Sequence, residues 1–155
     1  MKWALVSLYM VFLTALPCSA KQKHCTFRAH TEGNANDTGV FSAKVQSRLT
    51  GKRAFIEKTP TISERDVEAF RPYRNADGSF GVLLQLDTHG KLALDTLSIE
   101  RRGGLLFIFV NGRPITEMHI DRRVSDGKIY LPGGLNAADL ELMKKDWPLI
   151  GQKKK

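Results

Sequence analysis

The amino-acid sequence predicts an α+β fold: a mostly antiparallel sheet with two helices packed on one face, preceded by an N-terminal β-hairpin. Three observations carry this. Several segments alternate apolar and polar residues at the two-residue period of a strand, among them 24–30, 41–45, 67–73 and 80–86. Two others, 89–102 and 137–147, repeat apolar residues at helical spacing behind a capping side chain. Turn-forming clusters at Asn75–Ser79, Asn111-Gly112 and Asp126-Gly127 separate the strand segments.

The first twenty residues stand apart. Lys2 supplies one positive charge, Trp3 to Leu16 carry none, Pro17 breaks any helix, and Cys18-Ser19-Ala20 puts small residues at the sites a signal peptidase reads. Residues 1–20 are therefore expected to be a signal peptide cut between Ala20 and Lys21. Two alternatives stay open, an uncleaved anchor and a lipid-modified Cys18. The uncharged stretch is at the short limit of the ~17–25 residues that span a bilayer, and Pro17 fits poorly before a lipidated cysteine. No later segment is apolar enough to span a membrane.

Beyond the leader, residues 21–58 read as a hairpin region. His24–His30 and Phe41–Val45 are its two strands, and the polar stretch Gly33–Gly39 is its loop. Asn36-Asp37-Thr38 has the form of a glycosylation sequon, a pattern short enough to arise by chance. Arg53–Glu57 is a further short strand. Val67, Ala69 and Tyr73 share a strand face, and Pro72 suggests a sheet edge. Phe80, Val82, Leu84 and Leu86 return along the next strand. Asp87 or Thr88 caps a helix from about His89 to Arg102, whose apolar stripe is Leu92, Ala93, Thr96, Leu97 and Ile99, opposite Lys91, Asp95, Ser98 and Arg102. Gly103-Gly104 ends it.

Leu105–Val110 is an unbroken apolar run, as a strand buried on both faces requires. Asn111-Gly112 is the strongest hairpin signal, because both turn positions need positive φ. Ile115–Asp121 returns, and Lys128–Leu131 follows the next turn. Pro132-Gly133-Gly134 is expected as a loop before the last helix, where weak anion binding is conceivable. Asn136 and Asp139 form a capping-box-like pair, the helix buries Leu140, Met143 and Trp147, and Pro148 stops it. Residues 151–155 are a basic tail.

Composition narrows function only broadly. The whole chain has 24 basic and 16 acidic residues, a net charge of +8, and removal of the leader takes one lysine. Such a balance favours anionic surfaces in general. Cys25 is the single cysteine after the leader, which excludes an internal disulfide framework. It is expected to be buried with Phe27 and Ala29 on one strand face.

The search for chemistry returns little. His24 and His30 share a face, but six strand residues put them ~20 Å apart, beyond any one metal ion. Asp87-Thr88-His89 reads as a helix N-terminus and His119-Ile120-Asp121 as a solvent-facing strand end. Glu64, Asp66 and Glu68 read as a solvated strand edge. No serine lies in a nucleophile elbow. The expectation is a non-enzymatic protein with no cofactor and no metal.

Residues 59–150 resemble the head part of the first periplasmic domain of SecD, a protein-export membrane protein. The marks are Ile62-Ser63 followed by Asp66-Val67, Leu86-Asp87 with Gly90 opening a helix, Phe109-Val110-Asn111-Gly112-Arg113-Pro114-Ile115, and a glycine-terminated strand before the Asn136 helix. The family turn is usually Asp-Gly where this chain has Asn111-Gly112. SecD proper also has membrane spans that couple export to the proton gradient. The sequence after Ala20 has none, so proton-driven transport is not implied.

The resemblance implies a non-enzymatic module for extended or unfolded polypeptide, or for the export machinery, acting in the periplasm or outside the cell. The alternative is a basic binder of anionic envelope polymer or lipid, and an unrecognised hydrolase ranks third. No nucleic acid is expected as partner. The tentative contact residues are Tyr73 beside Pro72 at the sheet edge, and Asn111, Gly112, Arg113 and Pro114 on the hairpin. Unpaired edge amides and carbonyls can be completed by an extended peptide. Mass spectrometry of the exported product is expected to show Lys21 as its first residue; an intact Met1 or a lipidated Cys18 would overturn the leader assignment.

Overall fold

The computed structural model describes residues 24–37 and 39–152. The leader with its Ala20–Lys21 junction, Thr38 of the sequon and the last three lysines lie outside the described residues. In chain order the elements are β1 (Phe27–Thr31), β2 (Ser42–Gln46), β3 (Arg53–Glu57) and β4 (Ile62–Ser63), then a 3₁₀ turn (Glu64–Asp66). They continue with β5 (Val67–Arg74), β6 (Phe80–Leu86), α1 (Thr88–Glu100), β7 (Leu105–Val110), β8 (Arg113–His119), β9 (Lys128–Leu135) and α2 (Ala137–Asp146).

The α+β class and the antiparallel pairing hold, but the expected single sheet is divided. One sheet runs β4-β1-β7-β8, a second β5-β6-β9, and a third is the β2-β3 pair. All these pairings are antiparallel. The two larger sheets and both helices close around one core. Phe27, Ile62 and Ile108 enter it from the first sheet, Phe70, Leu84 and Leu131 from the second, and Leu94, Leu97, Leu140 and Met143 from the helices. Phe27 and Phe70 are fully buried, and truncating either to alanine costs about 3–5 kcal/mol.

The N-terminal hairpin exists with a different first strand. It is β2 that pairs with β3, Ser42 opposite Glu57 and Gln46 opposite Arg53. β1 instead lies between β4 and β7, Phe27 opposite Val110 and Thr31 opposite Leu106. Period-two alternation shows which side chains share a face and says nothing of which strand supplies the partner amides. The core therefore crosses the expected boundary between residues 58 and 59. A smaller apolar layer of Ile56, Leu105 and Phe107, with Val45 and Phe109 against it, joins the hairpin to the other face of the first sheet.

Two further expectations are corrected. The buried face of α1 is Gly90, Leu94, Leu97 and Ser98, while Leu92 and Ile99 are 65% and 52% exposed. Gly90 sets this orientation, since a side chain there would come within 2.8 Å of the Asp66 Cβ. Ser98 is reconciled with burial by donating to the Asp95 carbonyl and accepting from the Val124 amide. Pro132-Gly133-Gly134 is strand, not loop: β9 continues to Leu135 through a shift of register between Phe80 and Val82 on β6. Gly81 permits the crossing, for a Cβ there would meet the Leu131 and Pro132 carbonyl oxygens at 2.7 Å.

Local signals were accurate. Asn111 and Gly112 have φ of 50° and 75°, Asp87 caps α1, and the Asn136–Asp139 capping box opens α2. Cys25 is buried as expected. No helix among the described residues is long and apolar enough to cross a membrane. Among the described residues, the buried core residues run from Cys25 to Trp147, with Leu149 packed against them. A chain beginning at Lys21 is thus expected to melt in one cooperative transition that a chelator leaves in place; a clear drop with chelator would show that a metal holds part of the core.

Candidate functional site

The residues expected to contact a partner divide into two groups. Asn111 turns inward, and Arg113, though exposed, reaches a buried carboxylate. The Asn111 amide donates to the Thr26 carbonyl at 2.9 Å, and the Thr26 amide donates to Asn111 Oδ1 at 3.1 Å. Asn111 Nδ2 donates to Asp139 Oδ1 at 2.8 Å, and the Arg113 guanidinium donates to Asp139 Oδ2. These two side chains hold strands and helix together, and Gly112 completes the turn. Pro114 is exposed.

Tyr73 stands edge-on to Tyr130, with ring centroids 5.8 Å apart, on the outer face of the second sheet. β5 is an edge strand as Pro72 suggested, but that edge is largely closed. The Phe70 amide donates to the Pro148 carbonyl and the Ile150 amide donates to the Phe70 carbonyl. Pro72, the next residue pointing the same way, has no N–H. The stretch around Tyr73 offers an extended chain little to pair with.

The histidines take separate partners. His24 bonds Asp146 at 2.9 Å, and His30 bonds the Glu57 carbonyl at 2.7 Å. Burial lowers the His30 pKa, and Arg28 adds to that, against the hydrogen bond to Glu57. The Cys25 thiol is pushed up to about 12 by burial and by Asp146, Asp139 and Glu64, so it stays protonated and inert.

His89 does meet a carboxylate, but that of Asp66 rather than Asp87, with Nδ1 2.7 Å from Oδ1. Asp66 is buried at the end of the 3₁₀ turn, which corrects its expected place on a solvated edge. Among the described residues, Asp66, Asp87 and His89 are the group whose potential metal-binding atoms converge, within 4.8 Å of one another. Their atoms are already engaged: Asp66 Oδ2 accepts from the Ser63 amide and hydroxyl, and Asp87 Oδ1 from the Gly90 amide. The arrangement fastens the start of α1 to the 3₁₀ turn.

An apolar concavity lies elsewhere. A cleft of about 350 Å³ opens between the hairpin and the first sheet. Phe107 and Phe109 form its floor, Val45 and Gln46 one wall, and Pro114, Thr116 and Glu117 the other. Arg48 stands at its end. The Glu117 carboxylate accepts from the Ser47 hydroxyl at 2.7 Å and from the Arg48 and Leu49 amides, which clamps the hairpin tip to β8. Burial acts to raise the Glu117 pKa, and these donors outweigh it, so the carboxylate stays charged. Of the expected contact residues, only Pro114 lines this cleft. Glu117 lies 70 residues from Ser47, so no local pattern announces their contact.

Beside the cleft, among the described residues, β2 pairs with β3 alone. The bonds Ser47 N–H to Lys52 and Lys58 N–H to Phe41 place the odd-numbered residues of β2 against β3. By alternation, the amides and carbonyls of Ser42, Lys44 and Gln46 point away from β3; Lys44 and Gln46 are exposed there, whereas Ser42 is buried.

The His89–Asp66 pair has a defined pH signature. Burial acts to raise the Asp66 pKa, but the Ser63 amide, His89 and the Ser63 hydroxyl outweigh it and hold the group below its ordinary value. His89 is raised, chiefly by its hydrogen bond to Asp66. The Asp66 contribution to stability is lost as pH falls through its lowered pKa. The His89 contribution is complete below the ordinary histidine value and lost as pH rises through its raised one. His89→Ala is therefore expected to lower the melting temperature most between about pH 4 and about pH 6.5, and progressively less above. A difference that stays flat with pH would show that the ring acts by packing alone.

No protein-family model and no curated protein matches the chain. Among solved structures it is similar to SecDF, described as a membrane component that enhances protein export, with a TM-score of 0.54 and 15% identity. That match covers 80% of this chain and 63% of the other, so the chain spans less than two thirds of that protein's length. A structure of SecDF in a super-membrane-facing form aligns with a TM-score of 0.48 at 12% identity, over 79% of this chain and 28% of the other. At such identities the likeness is one of fold: over four fifths of its length this chain has a SecDF-like fold.

Proposed function

We propose that this protein is a non-enzymatic module that binds extended polypeptide outside the cytoplasm, in the service of protein export or envelope folding. The observation that carries the reading is the apolar cleft lying beside an unpaired strand edge. An extended chain can complete the free amides and carbonyls of Lys44 and Gln46 while one of its side chains enters the cleft over Phe107 and Phe109. Main-chain pairing makes few demands on the sequence bound, which suits a protein that meets many unfolded chains. The SecDF-like fold and the reading of residues 1–20 as a leader support the compartment and the pathway. The non-catalytic part of the reading is supported by how these titratable groups are used: His24, His30, His89 and Glu117 each anchor one segment to another.

The test is fluorescence anisotropy of a labelled, reduced and unfolded polypeptide titrated with the protein. Wild type is expected to bind with a Kd of ~10⁻⁵ M or tighter. Lys44→Pro removes an edge donor without touching the bonds to β3, and Thr116→Glu puts a charge in the cleft wall. Each should weaken binding at least about tenfold, or ~1.4 kcal/mol, while Tyr73→Ser should leave it unchanged. No binding by wild type at that concentration sinks the reading. Equal binding by all four proteins would retain polypeptide binding and remove the cleft from it.

A further inference from the structure

The β2-β3 hairpin carries a second surface on the side away from the core. Ala43, Val45, Ala54 and Ile56 face the apolar layer beneath it, so alternation turns Lys44, Gln46, Arg53 and Phe55 outward. Lys44 stands over the Phe55 ring, 5.9 Å from its centroid. From Gly39 to Lys58 the chain has five basic residues, Lys44, Arg48, Lys52, Arg53 and Lys58, against one acid, Glu57. That is +4 in 20 residues, half the net charge of the whole chain. Glu57 is itself paired with Arg101 at 2.7 Å. Among the described residues none of the five cations forms an ion pair.

Apolar side chains protrude beside these charges. Val40 and Phe41 at the open end of the hairpin are each 69% exposed, and Leu49 at its tip is 56% exposed. Isolated exposed apolar residues are ordinary. Three on one basic hairpin, beyond both ends of its charged strands, are a pattern.

We propose that this outer surface of the hairpin seats on an anionic lipid bilayer. Cations near such a surface contribute on the order of 1 kcal/mol each, and apolar side chains gain by entering the boundary between headgroups and acyl chains. The apolar residues are what select lipid over the other polyanions. A nucleic acid or an acidic polysaccharide would pair with the lysines and arginines but offer Val40 and Leu49 no dry environment. A bilayer supplies both layers at once. The surface adjoins the cleft, whose margin Gln46 and Arg48 also line, so a chain held at the cleft would lie close to the membrane.

The experiment is co-sedimentation of the chain beginning at Lys21 with two kinds of vesicle, pure phosphatidylcholine and phosphatidylcholine with about one third phosphatidylglycerol, a proportion chosen to give a surface potential of ordinary size. That chain keeps every core residue. Three proteins are compared: wild type, Lys52→Glu with Arg53→Glu, and Phe41→Ser with Leu49→Ser. All the altered side chains lie outside the two apolar clusters, and circular dichroism confirms that each protein is folded. Wild type should bind the anionic vesicles, bind the neutral ones at least about tenfold more weakly, and be released as salt shortens the Debye length. Each double variant should lose at least about tenfold in affinity for the anionic vesicles. Loss in the charge variant with none in the apolar variant would mean a general polyanion surface and would overturn the lipid assignment. Undiminished binding by both variants, or no wild-type binding, would overturn the surface altogether.

Discussion

Asp139 is 4% exposed, and a buried charge is costly unless donors surround it. Three come from three directions: the Asn136 amide at the start of α2, Asn111 Nδ2 in the β7–β8 turn, and the Arg113 guanidinium on β8. Asn111 is in turn bonded in both directions to Thr26, just before β1. One acidic group thus joins the first strand, the central hairpin and the last helix, which lie far apart in the chain. Loss of the Asn111 side chain would leave Asp139 and the Thr26 amide short of partners, at about 1–3 kcal/mol for each buried group. The motif Asn111-Gly112-Arg113-Pro114 is therefore part of the frame, and its strict turn geometry serves that role.

Around this junction the fold is built on β1. With β4 on one side and β7 on the other, β1 is buried on both faces except at Arg28. Phe27 and Ala29 face the main core, while His30 faces the hairpin layer, edge-on to Phe109. Burial lowers the pKa of this histidine and outweighs the hydrogen bond to the Glu57 carbonyl, and so favours the neutral ring. Because β1 has two buried faces, a second layer can rest on the first sheet without a helix. The hairpin is that layer. It does not cover the sheet completely, and the uncovered strip over Phe107 and Phe109 is the cleft.

The hairpin therefore has two surfaces of unlike chemistry. Its inner side borders an apolar cleft and an unpaired edge, its outer face carries Lys44 and Arg53, and Phe41 and Leu49 protrude beyond the ends of its strands. The clamp between Glu117 and the Ser47–Leu49 segment sets the distance between hairpin tip and β8, and hence the width of the cleft. A rigid cleft favours binding because less ordering is left for the moment of association.

What the sequence determined by itself was everything enforced within a few residues. The Asn111-Gly112 turn, the caps at Asp87 and Asn136, the strand faces of 80–86 and the stop at Pro148 all follow from backbone sterics or from hydrogen bonds spanning three or four positions. The resemblance in the 59–150 stretch likewise pointed to the right fold. Tertiary structure decided the rest. Pairing of β1 with β7 joins residues some eighty positions apart, and alternation cannot choose between β2 and β7 as a partner. The stripe Leu92, Ala93, Thr96, Leu97 and Ile99 was apolar enough to look buried, and Leu97 and Ala93 do pack on the core, but close packing of Gly90 on Asp66 turned α1 so that Leu94 and Ser98 are buried and Leu92 and Ile99 exposed. Asp66 looked like one of three solvated acids until the 3₁₀ turn withdrew it beneath His89. The cleft was invisible for the same reason, since its walls come from β2 and β8, and only packing brings them together.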